Sequence, residues 1–270
     1  MATFRITVAY DGTDFVGWQR QAVGTSIQGL IEDALGALDG RKVTVTGAGR
    51  TDAGVHALGQ VASFTLARPV DAATVKRAVN ARLPSEVRVL TAVEAAPTLH
   101  VRFAARTKTY RYRIWNGEVV SPFERRYVWQ LAGTLDIDAM RRAARLFEGT
   151  HDFAAFQAAG GAARSTERTI LSSELRIADC GMRIDCGWPI PQSALLVFEI
   201  VGDGFLRHMV RAIVGSLVEV GRGRQPVEWV GEVLASRDRM QAGPTAPARG
   251  LFLMSIDYGS ERGGALADEP

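Results

Sequence analysis

A chain of 270 residues, 47% hydrophobic and 23% charged, can bury a substantial core as one large domain or two smaller ones. No apolar run approaches the ~18 residues of a membrane span, and the opening MATFRITVAYDGTDF has neither part of a secretory signal, so a soluble, cytoplasmic protein is expected. The formal net charge is only +3, yet residues 1–115 carry 15 Lys and Arg against 9 Asp and Glu, the asymmetry expected where one face meets phosphate.

Phe4 to Tyr10 alternates as a half-buried strand does, and Asp11-Gly12 ends it. Trp18-Gln19-Arg20-Gln21 reads equally as a nucleic-acid contact loop or as a core tryptophan with polar neighbours. A helix over Ser26 to Leu38 is marked by a capping box in Thr25 and Gln28 and an apolar stripe through Ile27, Leu30, Ile31, Ala34 and Leu35. Val43 and Val45 start a strand that enters a turn containing Gly47, Gly49 and Gly54, and a second strand through Ala62, Phe64 and Leu66 leaves it. Asp71 caps a helix to Leu83 that Pro84 stops, and Val87 to Val93 is a strand. The order β-α-β-β-α-β is that of the ferredoxin-like unit.

The second half repeats it, with strands at Thr107 to Trp115, Ile170 to Ile177, Leu195 to Val201 and Leu251 to Tyr258, and helices at Asp136 to Phe147, Phe205 to Val220 and Val227 to Ala235. The expected architecture is therefore α+β: two ferredoxin-like halves, residues 1–105 and 106–258, joined through their antiparallel sheets with a central cleft, and a disordered tail at 259–270. Gln157 to Ser165 is expected to be a mobile loop and Trp188-Pro189-Ile190-Pro191 a rigid turn. Cys180 and Cys186 flank a hairpin turn in a chain expected to be cytoplasmic, so free thiols are expected.

Three segments concentrate chemistry. The glycines at 47, 49 and 54 let the backbone take φ > 0 or approach another group closely, and the turn they shape holds out Asp52 with Arg50 two residues before it. A dinucleotide fingerprint fails there, because Asp52 stands at the third glycine position and a strand, not a helix, follows. Asp52 and His56 find no third partner for a metal, which leaves His56 a structural role. Val101 to Trp115 holds Arg102, Arg106, Lys108, Arg111 and Arg113 with no acid, interleaved with Tyr110 and Tyr112; it reads as a single-stranded RNA surface or as a solvated basic strand with aromatics packed inward. In Gly204 to Gly215, Arg207 and Arg211 share a flank beside an apolar helical stripe and need an anion.

GRTDAGVHA (Gly49 to Ala57), KTYRYRI, FLRHMVR and the closing GLFL at 250–253 together resemble the A-type tRNA pseudouridine synthases, with likeness running from FRITVAYDGTDFVGWQRQ to SIDY. That resemblance implies an enzyme that isomerises uridine to pseudouridine at positions 38, 39 and 40 of the tRNA anticodon arm, as a homodimer, without cofactor or metal. It makes Asp52 the catalytic carboxylate, Arg211 its cationic partner, Tyr110 the ring that stacks on the target uridine, and Leu251 an apolar wall. Arg20, Arg50, Arg106, Arg111 and Arg207 join them as candidate substrate-binding residues. Whether Asp52 attacks C1′, attacks C6 or takes the C2′ proton stays open at this level, and the Tyr110 hydroxyl is the favoured acceptor for the C5 proton. The alternatives are an RNA-binding module without catalysis, for which Asp52 has no use, and a hydrolase that releases uracil.

Overall fold

The computed structural model describes residues 1–160, 165–178 and 194–259. Cys180, Cys186, the 188–191 turn, the centre of the 157–165 loop and nearly all of the 259–270 tail lie outside them. The elements run β1 (Ala2–Tyr10), α1 (Ile27–Asp39), β2 (Thr46–Gly47), β3 (His56–Leu66), α2 (Ala72–Asn80), β4 (Val87–Ala95), β5 (Thr107–Asn116), β6 (Trp129–Leu131), α3 (Ile137–Arg145), β7 (Gly149–Asp152), β8 (Glu167–Ala178), β9 (Ala194–Gly202), α4 (Met209–Gly221), α5 (Trp229–Ser236) and β10 (Leu251–Asp257).

This is a mixed α+β architecture built on one ten-stranded sheet in the order β4-β1-β3-β10-β5-β9-β8-β7, with β2 on β3 and β6 on β5. Alternation fixes its core face: Phe4, Ile6, Val8 and Tyr10 of β1, Tyr110, Tyr112 and Ile114 of β5, and Leu196, Phe198 and Ile200 of β9 are all buried. Residues between them on β5, Arg111 and Arg113, stand half-exposed on the other face. The closing strand β10 enters the middle of the sheet. It pairs antiparallel with β5 but parallel with β3, through Phe252↔His56 and Leu253↔Ala57, so the seam is not wholly antiparallel as expected.

Three local expectations change and one open alternative is decided. The cap of α1 is Ser26, whose hydroxyl accepts from Gly29 N, and Gln28 instead reaches back to accept from Arg20 N. Val43 and Val45 are buried but outside any ladder, because Glu32 and Gln28 of α1 satisfy the Val45 N–H and carbonyl and leave only Thr46–Gly47 to pair with β3. The helix expected from Phe205 begins at Met209, since His208 before it is left-handed with φ 61° and Arg207 O accepts from Ala158 N. Arg207 is thus not on the helix flank with Arg211. Trp18 is a core residue: it packs on Tyr10, and a Cβ at Gly47 would lie 2.6 Å from its Cε2.

Candidate active site

The Asp52 turn is held by its backbone. Trp18 N donates to Thr51 O, Gly54 N to Phe15 O and Val55 N to Asp52 O; Gln60 Nε2 donates to Gly49 O and Lys108 Nζ to Ala48 O, the last two at 3.0 Å. Thr51 shares a 2.8 Å hydrogen bond with the buried Tyr10 hydroxyl, whose pKa burial pushes up to about 12, so it stays a phenol. Of the three glycines, Gly54 has φ +75° and Gly47 backs onto the Trp18 ring, while Gly49 has neither a positive φ nor a crowded Cβ position.

His56 locks the far side of the turn. Gly12 N donates to its Nδ1 at 3.0 Å, and its Nε2 donates to Arg249 O at 3.1 Å, which assigns the tautomer from the partners. Its ring stacks on Phe252 at 4.6 Å. Burial lowers its pKa against the opposing pull of Asp11, so it is a neutral structural bracket, the role expected of it.

Asp52 remains 30% exposed, and one oxygen faces two nitrogens: Arg211 Nη1 lies 3.6 Å and His208 Nε2 3.5 Å from Asp52 Oδ2. Arg211 is itself braced, with Nε donating to Ala246 O at 2.7 Å and its carbonyl accepting from Ala246 N. Burial lowers the His208 pKa, nearby Arg211, Arg207 and Arg239 lower it further and Asp52 opposes them, so the imidazole is neutral at pH 7. It reaches Asp52 from a backbone conformation that costs a non-glycine residue about 1–3 kcal/mol. Sequence reasoning missed His208, whose only signal was a histidine between two arginines at a helix start that has no capping side chain.

Tyr110 is 7% exposed and packs edge-on against Phe205 at 5.0 Å. Burial, with Tyr10 and the Asp52 charge adding to it, raises its hydroxyl pKa far above neutrality. Tyr112 differs: its hydroxyl donates to Pro247 O at 2.7 Å, tying β5 to the chain that braces Arg211. Leu251 is buried opposite Tyr112.

The expected arginines divide. Arg20 pairs with Glu32 and Asp33 at 3.0 Å, Arg111 with Glu199 at 2.7 Å, and Arg207 donates to Ala159 O. Arg50 and Arg106 are exposed and form no ion pair among the described residues. Among the described residues no group of three or more His, Cys, Asp or Glu is placed to hold a metal ion, and no helix is long and apolar enough to cross a membrane.

A carboxylate fixed by a rigid turn, with one cation and a neutral imidazole on one oxygen and a buried ring nearby, is equipment for chemistry on a substrate rather than for adhesion alone. The family model described as tRNA pseudouridine synthase matches residues 6–104 and 143–259, and the chain belongs to that family. It is 44% identical over 258 residues to the tRNA pseudouridine synthase A of Syntrophotalea carbinolica, covering 96% of this chain and 97% of that one. It is likewise 44% identical over 260 residues to that of Moorella thermoacetica (96% and 100% covered), and 46% identical over 258 residues to that of Chloroflexus aurantiacus (96% and 89%).

Proposed function

We propose that this protein isomerises uridine to pseudouridine in tRNA, at positions 38, 39 and 40 of the anticodon arm, with Asp52 as the catalytic carboxylate. The observation that carries the assignment is the shared engagement of Asp52 Oδ2 by Arg211 and His208 in a turn whose main chain is fixed on every side. The reaction breaks the C1′–N1 bond, turns the uracil, joins C5 to C1′ and releases the C5 proton. Asp52 supplies the ionised group beside the ribose, and Arg211 counters its charge. Neutral His208 is a positioning residue: its Nε2, 3.5 Å from Oδ2, packs a polar edge against the carboxylate on the side away from the sugar. Tyr110 and Leu251 wall the flipped base.

Tyr110 works as a phenol, because so high a pKa leaves almost no phenolate at pH 7. To take the C5 proton it must give up its own as it accepts, and the uracil N1, freed by glycosidic cleavage and protonated in the product, is the net acceptor, a relay rather than simple base removal. Arg50 and Arg106, without acid partners, are the first of the expected arginines to meet phosphate.

Residues 1–105 and 106–258 are read as two ferredoxin-like halves facing each other across β10, in a cytoplasmic homodimer. The order β4-β1-β3-β2, antiparallel throughout, supports the first half. The dimer rests on the family resemblance, and a light-scattering mass of 29.2 kDa at micromolar concentration would reject it. The activity is tested by incubating the protein with unmodified tRNA transcript and measuring pseudouridine and free uracil. Pseudouridine without uracil is expected; free uracil would make the protein a hydrolase, and binding without either product would make it an RNA-binding module.

A further inference from the structure

Beside the Asp52 turn lies an open cleft of about 440 Å³ lined by Thr13, Gly54, Pro247 and Ala248 together with Arg125, Arg126 and Arg249. No acid lines it. Arg126 has a loose contact with Asp14, 3.6 Å away on an exposed carboxylate, while Arg125 and Arg249 form no ion pair among the described residues. Most of the arginines that sequence reasoning singled out are occupied by acids or carbonyls, so these are among the cations free to meet an anion.

The segment between β5 and β6 that carries two of them is held in place. Glu124 N and Arg125 N both donate to Ser121 O at 3.0 Å, and Tyr127 N donates to Glu124 O at 2.8 Å. The Tyr127 hydroxyl donates to Asp11 Oδ2 at 2.7 Å, and Glu124 itself is taken by Arg113 at 2.7 Å, which removes the one acid of the turn from the cleft. The same turn holds out Phe123, 88% exposed. A phenylalanine so fully in water beside unpaired arginines is the pairing that binds single-stranded nucleic acid: cations for the backbone and an aromatic face for an unstacked base. Gly54 follows Asp52 by two residues, so the cleft's lining comes within about 7 Å of the Asp52 main chain. A strand with one nucleotide at Asp52 has a neighbouring phosphate within reach.

We propose that Arg125, Arg126 and Arg249 form a subsite for the RNA backbone next to the reacting nucleotide, with Phe123 stacking on an unpaired base beyond it. The proposal rests on the tRNA reading above and adds residues that reading does not use. The test is titration of the full chain with tRNA across a series of KCl concentrations. Arg125→Ala/Arg249→Ala should flatten the slope of log K against log salt by about 0.7–0.9 for each lost contact. Phe123→Ala should weaken binding about 5–150-fold with the slope unchanged, and Phe123→Tyr should restore it. Should the first pair fold poorly, Arg125→Ala/Arg126→Ala gives the same readout without touching the turn whose Arg249 carbonyl His56 holds. A wild-type slope in the arginine variants and wild-type affinity in Phe123→Ala would overturn the subsite while leaving the tRNA reading standing. Phe123→Ala converting a dimer to a monomer with tRNA affinity intact would overturn it too, by making that ring a contact between copies. Wild-type protein without salt-dependent tRNA binding would instead remove the reading underneath and the subsite with it.

Discussion

The Asp52 turn and the Tyr110 strand were the two richest stretches of the sequence, and the fold treats them in opposite ways. Around Asp52 main-chain hydrogen bonds fix the turn and leave its key carboxylate partly open. Along β5 the ring side is buried, with its Lys108 spent on the Ala48 carbonyl, and the charged side is answered: Arg111 meets Glu199 across the β5–β9 register and Arg113 meets Glu124. A motif whose function is geometric survives folding unchanged, whereas a run of charges means little until its partners from distant strands are known.

The sharpest break of this contrast is Asp52→Asn. The amide fits the same space without ionising, so tRNA binding should stay within a few-fold while pseudouridine formation falls below detection in single-turnover assays. Turnover near wild type would move the chemistry away from the turn.

Tyr110→Phe comes next, since it keeps the buried ring and removes only the hydroxyl. Loss of a proton-transfer group costs about 10²–10⁴ in rate, and Tyr110→Ala should add the loss of stacking, about 1–3 kcal/mol. The raised pKa sets the sign of the pH dependence. A phenolate base would make the wild-type rate climb tenfold per unit between pH 7 and 9, whereas the phenol relay leaves it flat. Phe matching wild type would reduce Tyr110 to a stacking surface.

His208→Asn is smaller. Asparagine tolerates the left-handed backbone, so the variant should fold, but its shorter side chain no longer reaches Asp52. Losing this 3.5 Å polar contact, worth no more than an ordinary hydrogen bond, predicts a drop of about tenfold or less in kcat with KM nearly unchanged. An equal change in KM and none in kcat would make His208 a binding residue.

How much of this was legible follows the same division. The Asp52 turn and the strands of seven or more residues could be read because local pattern determines them. Strands β6 and β7, of three and four residues, carry too little pattern to stand out. The Val43–Val45 segment alternates like a strand yet is satisfied by α1 side chains, which only the tertiary fold reveals. His208 escaped for a related reason: a positive φ on a histidine leaves no mark in the sequence. Arg211 and Tyr110 were singled out by helical spacing and by the interleaving of rings with cations, and only the roles expected of them came from family likeness.

The smallest expected effect compares Arg106, just before β5, with Arg111 on the charged side of the strand. Arg106 is exposed without an acid partner, so Arg106→Ala should flatten the salt dependence of tRNA binding by about 0.7–0.9. Arg111 is held by Glu199, and both groups are about one-third exposed, so the pair is worth at most about 1 kcal/mol. So weak a pair can open for a phosphate, but the phosphate must replace a carboxylate that already answers the charge, and Arg111→Ala should change the slope by less than Arg106→Ala does. Removing the competitor reverses the order: Glu199→Gln leaves the Arg111 guanidinium without a counter-charge and should steepen the slope and tighten tRNA binding by a few-fold. If Glu199→Gln leaves both unchanged while Arg106→Ala flattens the slope, Arg111 faces away from the RNA and its ion pair serves only to tie β5 to β9.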